Sequence, residues 1–230
     1  MAAAPSSAPE PEVSLLPTTV GEARLSRFRV PGTRSEPRLR LALGHGAGGG
    51  IEAADLQALA AELPARGVEV ILVEQPWRVA GRKIAPAPKT LDAAWTPLMA
   101  AITAEDPTVP LVTGGRSAGA RVACRTAAET GAVGVLALAF PLHPPGKPAN
   151  SRAAELALPG ESGIPTLVLQ GAADAFGHPD EFPAGPQLPP GVQVFGLPAG
   201  DHSFAVRKSQ PSVLPELVEA AGQWLAGLAD

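Results

Sequence analysis

Cysteine is nearly absent: the 230 residues contain one, Cys124. No internal disulfide can form, so a reducing compartment, most simply the cytoplasm, is the expectation. Cys124 falls two helical turns beyond the serine turn described below, where a small apolar side chain packed against a sheet is the ordinary role. Basic runs are also missing. The chain has 18 Lys and Arg against 22 Asp and Glu, a net charge of -4, with no basic stripe, so a phosphate-backbone partner has nothing obvious to bind and nucleic acid is not expected. No apolar run approaches the roughly 18 residues of a membrane helix, so no membrane partner is expected. No set of His, Cys, Asp or Glu has metal-ligand spacing, so neither a metal nor another cofactor is expected. The first dozen residues, M-A-A-A-P-S-S-A-P-E-P-E, lack the basic start and apolar stretch of a secretion signal. Their Pro, Ser and Glu content predicts a disordered tail over residues 1–12.

What is present is the composition of a globular chain, 45% hydrophobic and 17% charged, with residues 13–230 long enough for one α/β domain. Short apolar runs alternate with helical patterns. An edge strand is predicted over Ala23 to Val30 and another strand over Arg38 to Leu43. Ile51 to Leu63 carries a helical face at Leu56, Leu59, Ala60 and Leu63, closed by Pro64 and Gly67. Val68 to Val73 is a nearly continuous β-branched run, the mark of a strand buried on both faces. A loop from Gln75 to Pro88, a helix over Leu91 to Thr103 and a strand over Leu111 to Thr113 follow. Beyond them come strands at Val133 to Phe140, Thr166 to Gln170 and Val192 to Leu197, and a closing amphipathic helix over Val213 to Leu228. Such alternation predicts a doubly wound, mostly parallel sheet flanked by helices.

Gly115-Arg116-Ser117-Ala118-Gly119 lies between the Leu111 strand and a helix-forming stretch and fits G-x-S-x-G. In that turn a strained serine is lifted clear of the sheet. Upstream, Gly44-His45-Gly46-Ala47-Gly48-Gly49-Gly50 follows a strand. It lacks the spacing of a phosphate loop and suits an H-G-x-G loop, whose exposed N–H groups can face a developing oxyanion. Asp174 and His202 each follow a later strand directly. Ligands of such sheets bind beyond the carboxyl ends of the strands, so all four features should gather on one edge. A serine hydroxyl needs a base to take its proton, and an imidazole in that role needs a carboxylate to orient it. Ser117, Asp174 and His202 supply these residue types in that order. Asp201, adjacent to His202, is the alternative acid. His178, beside Asp180 and Glu181, is expected to be solvated, and His143, between prolines, either marks a site mouth or is loop structure. Arg116 either steers an anionic substrate or pairs with a nearby carboxylate. The cations Arg78, Arg82 and Lys83 bind an anion or are merely solvated. Trp77, Phe140, Phe176 and Phe204 are either apolar walls for a substrate or core residues.

The chain resembles the α/β-hydrolases, in particular the dienelactone-hydrolase-related branch that includes testis-expressed hydrolase-like proteins and the hydrolase-like subunit of a histone acetyltransferase complex. The resemblance is carried by G-H-G-A-G-G-G at Gly44, E-Q-P-W-R-V-A-G-R at Glu74, G-G-R-S-A-G-A-R-V-A at Gly114, F-P-L-H-P-P-G-K-P at Phe140, Q-G-A-A-D-A-F-G at Gln170 and G-D-H-S-F at Gly200. It implies an α/β-hydrolase fold with Ser117 as nucleophile, Asp174 as acid and His202 as base. It also implies backbone N–H groups of Ala118 and of Ala47, or its neighbour Gly46, as the oxyanion hole.

The expected reaction is hydrolysis of a small-molecule acyl ester or thioester through an acyl-enzyme. Only the proline-rich Pro141 to Pro165 stands where this fold often inserts a helical cap, so a minimal cap or none is expected, and an open site suits small acyl groups. The competing expectation is an interaction module that keeps the fold without the chemistry.

Overall fold

The computed structural model describes residues 10–32, 36–183 and 187–229. Its spine is one eight-stranded sheet. The strands are β1 (Glu12–Thr18), β2 (Gly21–Phe28), β3 (Leu39–Gly44), β4 (Val68–Glu74), β5 (Leu111–Arg116), β6 (Gly134–Leu138), β7 (Thr166–Gly171) and β8 (Val192–Leu197). Their spatial order is β1-β2-β4-β3-β5-β6-β7-β8. The pairs β1–β2 and β2–β4 are antiparallel and every other pair is parallel.

The helices are α1 (Ala54–Glu62), α2 (Pro76–Val79), α3 (Pro88–Glu105), α4 (Ala118–Thr130), α5 (Ala153–Glu161) and α6 (Leu214–Ala229). Both faces of the sheet are covered, which is why β3 to β7 are buried along nearly their whole length. On one face Leu41, Leu43, Val70, Leu72 and Leu136 pack against Leu56 and Leu59 of α1 and Leu217, Ala221 and Leu225 of α6. On the other, Ala42, Ile71 and Val73 meet Trp95, Leu98 and Met99 of α3. Beside them, Val135, Ala137 and Val168 meet Ala120, Ala123 and Cys124 of α4 and Leu156 of α5. Cys124 thus packs as expected, and burial pushes its thiol up to about 12. Among the described residues no helix is long and apolar enough to cross a membrane.

The structure corrects several boundaries. The strand expected at the edge, now β2, is second from it, because β1 forms a hairpin arm outside it. β1 is exposed along most of its length, so no apolar alternation marks it, and Pro17 sits where an edge strand tolerates a missing N–H. Of the expected tail, residues 1–9 lie outside the described residues, while Glu12 already pairs with Arg27 in the sheet. The loop after β4 contains the short helix α2, with Pro76 at its first position. The proline-rich segment before β7 contains α5. Glu155 ties this helix to α4 through Arg121 at 2.6 Å and Arg125 at 2.8 Å, so it lies against the sheet's helical layer and forms no cap.

β5 also runs three residues beyond its apolar core, through Gly114 and Gly115 to Arg116. The glycines permit this: a Cβ at Gly115 would collide with the Gly44 backbone, and one at Gly114 with the Leu136 carbonyl. Neighbouring strands close in on both sides, and the turn that follows is forced to be abrupt.

Candidate active site

Ser117 is the single residue between β5 and α4. Its N–H donates to the Leu138 carbonyl at 2.9 Å, and its backbone sits at φ 52 and ψ -109, a region that side-chain-bearing residues rarely occupy. The turn lifts Oγ to the carboxyl edge of the sheet, 2.8 Å from His202 Nε2. On the far side of that ring, Nδ1 lies 2.8 and 3.0 Å from the two oxygens of Asp174. Serine, imidazole and carboxylate therefore form one hydrogen-bonded series across 85 residues of chain.

Asp174 is fully buried. The Phe176 N–H donates to its Oδ1 at 2.8 Å and Gln170 Nε2 to its Oδ2 at 2.8 Å. Gln170, at the end of β7, also donates to the Gly177 carbonyl at 2.8 Å, so it holds both ends of the acidic loop. Nothing in its sequence position singled it out. Asp201 faces elsewhere: its Oδ1 accepts the N–H groups of Ser203 at 2.7 Å and Ala205 at 3.0 Å, closing its own turn.

The Phe176 ring stacks on His202 with centroids 4.1 Å apart and is half-buried. The loop beneath it is braced by His143, whose N–H donates to the Phe176 carbonyl at 3.0 Å. The buried His143 ring lies 2.9 Å from Glu181 Oε2, so His143 is loop structure. The contact of its ring Nδ1 with the Pro144 carbonyl, at 2.9 Å, and that of Nε2 with Glu181 raise its pKa. His178 is exposed, with Nδ1 2.8 Å from the Ala172 carbonyl. Phe204 and Phe140 are buried in two of the core clusters and take the packing role of the two open to them.

Gly46 and Ala47 lie in the loop after β3, beside Ser117: a Cβ built on Gly46 would stand 3.5 Å from Ser117 Cβ. Ala118 opens α4, where an N–H has no carbonyl four residues back to bond and the helix end is partly positive.

The buried His45 holds this loop, a role the sequence left unassigned. The Gln75 N–H donates to its Nε2 at 3.1 Å, which leaves the proton on Nδ1 to be donated to the Gly46 carbonyl at 2.8 Å. Burial lowers its pKa, consistent with a neutral ring. Trp77, in α2, packs against it with ring centroids 5.5 Å apart.

Arg116 takes the carboxylate-pairing role. Its Nε lies 3.2 Å from Asp55 Oδ2, and its Nη2 reaches the loop of His202. Of the cations after β4, Arg78 approaches Glu52 at 3.4 Å. Among the described residues no three His, Cys, Asp or Glu side chains come together as a metal would need.

A family model of the alpha/beta hydrolase domain matches residues 37–227. The chain belongs to the alpha/beta hydrolase family. No curated protein matches this chain. Solved structures resemble it at low identity and over nearly full length. A serine hydrolase without a lid from Xanthomonas campestris is 18% identical, with a TM-score of 0.73 over 95% of this chain and 94% of its own. An alpha-beta serine hydrolase homologue from Coxiella burnetii is 17% identical, with a TM-score of 0.69 over 96% and 100%. Apo esterase 2 from Thermogutta terrifontis is 14% identical, with a TM-score of 0.69 over 97% of each chain. These likenesses establish the shared fold.

Proposed function

We propose that this alpha/beta hydrolase cleaves a small acyl ester or thioester through an acyl-enzyme on Ser117. The observation that carries the reading is the 2.8 Å approach of Ser117 Oγ to His202 Nε2, with the Asp174 carboxylate on the opposite side of the ring. As Oγ attacks the carbonyl carbon, His202 takes the hydroxyl proton, and Asp174 stabilises the imidazolium and holds its tautomer. The carbonyl oxygen gains charge facing the N–H groups of Ala118 and of Ala47 or Gly46. Collapse of the tetrahedral intermediate breaks the bond to the leaving alcohol or thiol, which receives the proton from His202. Water, deprotonated by the same ring, then releases the acid and restores Ser117.

The names of the similar structures, serine hydrolases and an esterase, agree with this chemistry. The motifs quoted above favour the dienelactone-hydrolase-related branch, and the single cysteine favours a cytoplasmic setting. The partner is a small-molecule substrate.

A fluorophosphonate probe tests the proposal. Covalent labelling that maps to Ser117 and disappears in Ser117→Ala is the expected result. A folded protein that neither labels nor turns over short p-nitrophenyl esters would instead be a non-catalytic module of this fold.

A further inference from the structure

The ring of His143 meets an acceptor on each side. Nδ1 lies 2.9 Å from the Pro144 carbonyl and Nε2 2.9 Å from Glu181 Oε2. A carbonyl and a carboxylate have no hydrogen to give, so a neutral imidazole, with its single N–H, satisfies one of them and turns a lone pair toward the other. Only the doubly protonated ring satisfies both. His143 is 5% exposed, which leaves little water to replace a lost bond. His45 is the opposite case: it faces an N–H at Nε2 and a carbonyl at Nδ1, which a neutral ring serves.

The surrounding groups favour the charge. The Pro144 contact and then the Glu181 carboxylate raise the His143 pKa; burial opposes them, as does the charge of Arg152, which donates to the Pro141 carbonyl at 3.0 Å. Glu181 is itself held below the usual carboxylate range, first by the His178 N–H and then by His143.

This brace reaches the triad in two steps. The His143 main-chain N–H donates to the Phe176 carbonyl at 3.0 Å. Phe176 in turn gives its N–H to Asp174 Oδ1 at 2.8 Å and lays its ring on His202. Glu181 Oε1 grips the same loop two residues further on, accepting the His178 N–H at 2.7 Å. Between them Gly177 passes so close that an added Cβ would stand 2.8 Å from Leu142 Cβ. The loop that carries Asp174 therefore rests on the one that carries His143.

We propose that His143 is a positioning residue of the site: as an imidazolium it holds Phe176, and through it Asp174 and His202, and loss of its ring proton loosens that hold and slows the reaction at alkaline pH. The inference rests on the serine-hydrolase reading above. Two histidines then act on the rate with opposite sign. His202 must be neutral to take the Ser117 proton, so activity rises as it deprotonates, whereas His143 must be charged, so activity falls as it deprotonates in turn. The chain has no tyrosine, and the Cys124 thiol is pushed up to about 12, so neither supplies a limb below pH 9.

The experiment measures kcat and KM for p-nitrophenyl acetate from pH 5 to 9 on the full chain, on His143→Gln and on Glu181→Gln, beside fluorophosphonate labelling and NMR spectra of the four histidine rings, assigned from their backbone signals. Wild-type kcat should follow a bell. Glu181→Gln should move the alkaline limb down by about one pH unit, because the adjacent negative charge is gone. His143→Gln, which does not titrate, should lose that limb and keep about a tenth of the wild-type kcat at pH 7, with KM little changed. In the wild type both ring nitrogens of His143 should carry protons at pH 7. A His143 ring that is neutral there overturns the proposal even if neither variant folds. So does an alkaline limb that stays in place in folded Glu181→Gln or persists in folded His143→Gln, or a wild-type profile flat to pH 9. Wild-type protein that neither labels nor turns over the ester removes the serine-hydrolase reading and this role with it, whereas labelling with an unmoved limb removes only the role of His143.

Discussion

Arg116 Nη2 donates to the main-chain carbonyl of His202 at 2.6 Å. The residue before Ser117 thus holds the loop that carries His202. A second contact, to Ser203 Oγ at 3.3 Å, grips the next residue. Arg116→Met should lower kcat by about tenfold to a hundredfold, the worth of a charge-assisted hydrogen bond, with KM changed little. Arg116→Lys should recover part of the loss. Steady-state kinetics on a short ester would check this, and a change confined to KM would place Arg116 in substrate binding instead.

Asp55 is 1% exposed, and neither carboxylate oxygen has a well-aligned hydrogen bond. Its contact with Arg116 is therefore a charge pair with poor geometry. Burial raises the Asp55 pKa and the guanidinium opposes that shift. Truncating one member of a buried pair strands the other at a cost of about 3–5 kcal/mol. Arg116→Met should accordingly be markedly less stable than wild type, and Asp55→Asn added to it should restore part of the difference. Urea denaturation of the two variants measures that recovery; an equal or lower midpoint in the double variant would show that the carboxylate is not what is stranded.

Ser117 occupies positive φ without being glycine. Such backbone stores about 1–3 kcal/mol, and glycine relieves it. Ser117→Gly should raise the stability by about 1 kcal/mol while abolishing probe labelling. Thermal melting beside the labelling assay tests both parts together.

His45 accepts a hydrogen bond at Nε2 and donates one at Nδ1, so the folded site wants it neutral. Its pKa is lowered from the ordinary 6.5, chiefly by burial. Between the folded and unfolded values the unfolded chain binds more protons, so this contribution is complete above about pH 6.5 and is lost as pH falls from there toward the lowered folded value. The melting temperature of His45→Gln should be below that of wild type at pH 7.5, and the gap should narrow by pH 5. A constant gap across that range would show that the ring's charge is not coupled to folding.

Gly119 in α4 has its Cα against the end of β3: an added Cβ would strike the Gly44 carbonyl. Gly119→Ala should cost more than about 3 kcal/mol, because two backbones must separate. Soluble yield and a urea melt would show it, and a stable variant would mean that α4 can shift without loss.

Strand and helix patterns were legible wherever one face or both were buried: β4, β7 and β8 begin and end within a residue of their apolar runs. Residues at strand ends were legible for the same reason, because a parallel sheet delivers its carboxyl ends to one rim, and Ser117, Asp174 and His202 meet there. β1 escaped because an exposed hairpin arm carries no periodic signal, and α2 because four residues are too few to show one.

Local sequence determined the alternation of elements, the abrupt turn at Ser117 and the residue types available for proton transfer. Only the tertiary structure decided that Asp174 rather than Asp201 faces His202, that Arg116 binds a carbonyl 86 residues away, and that Phe204 is core while Phe176 lies on the imidazole. The reason is physical: periodicity encodes which face of an element is buried, but a side chain's partner is chosen by the packing of elements distant in the chain, and that choice leaves no mark on its neighbours in sequence.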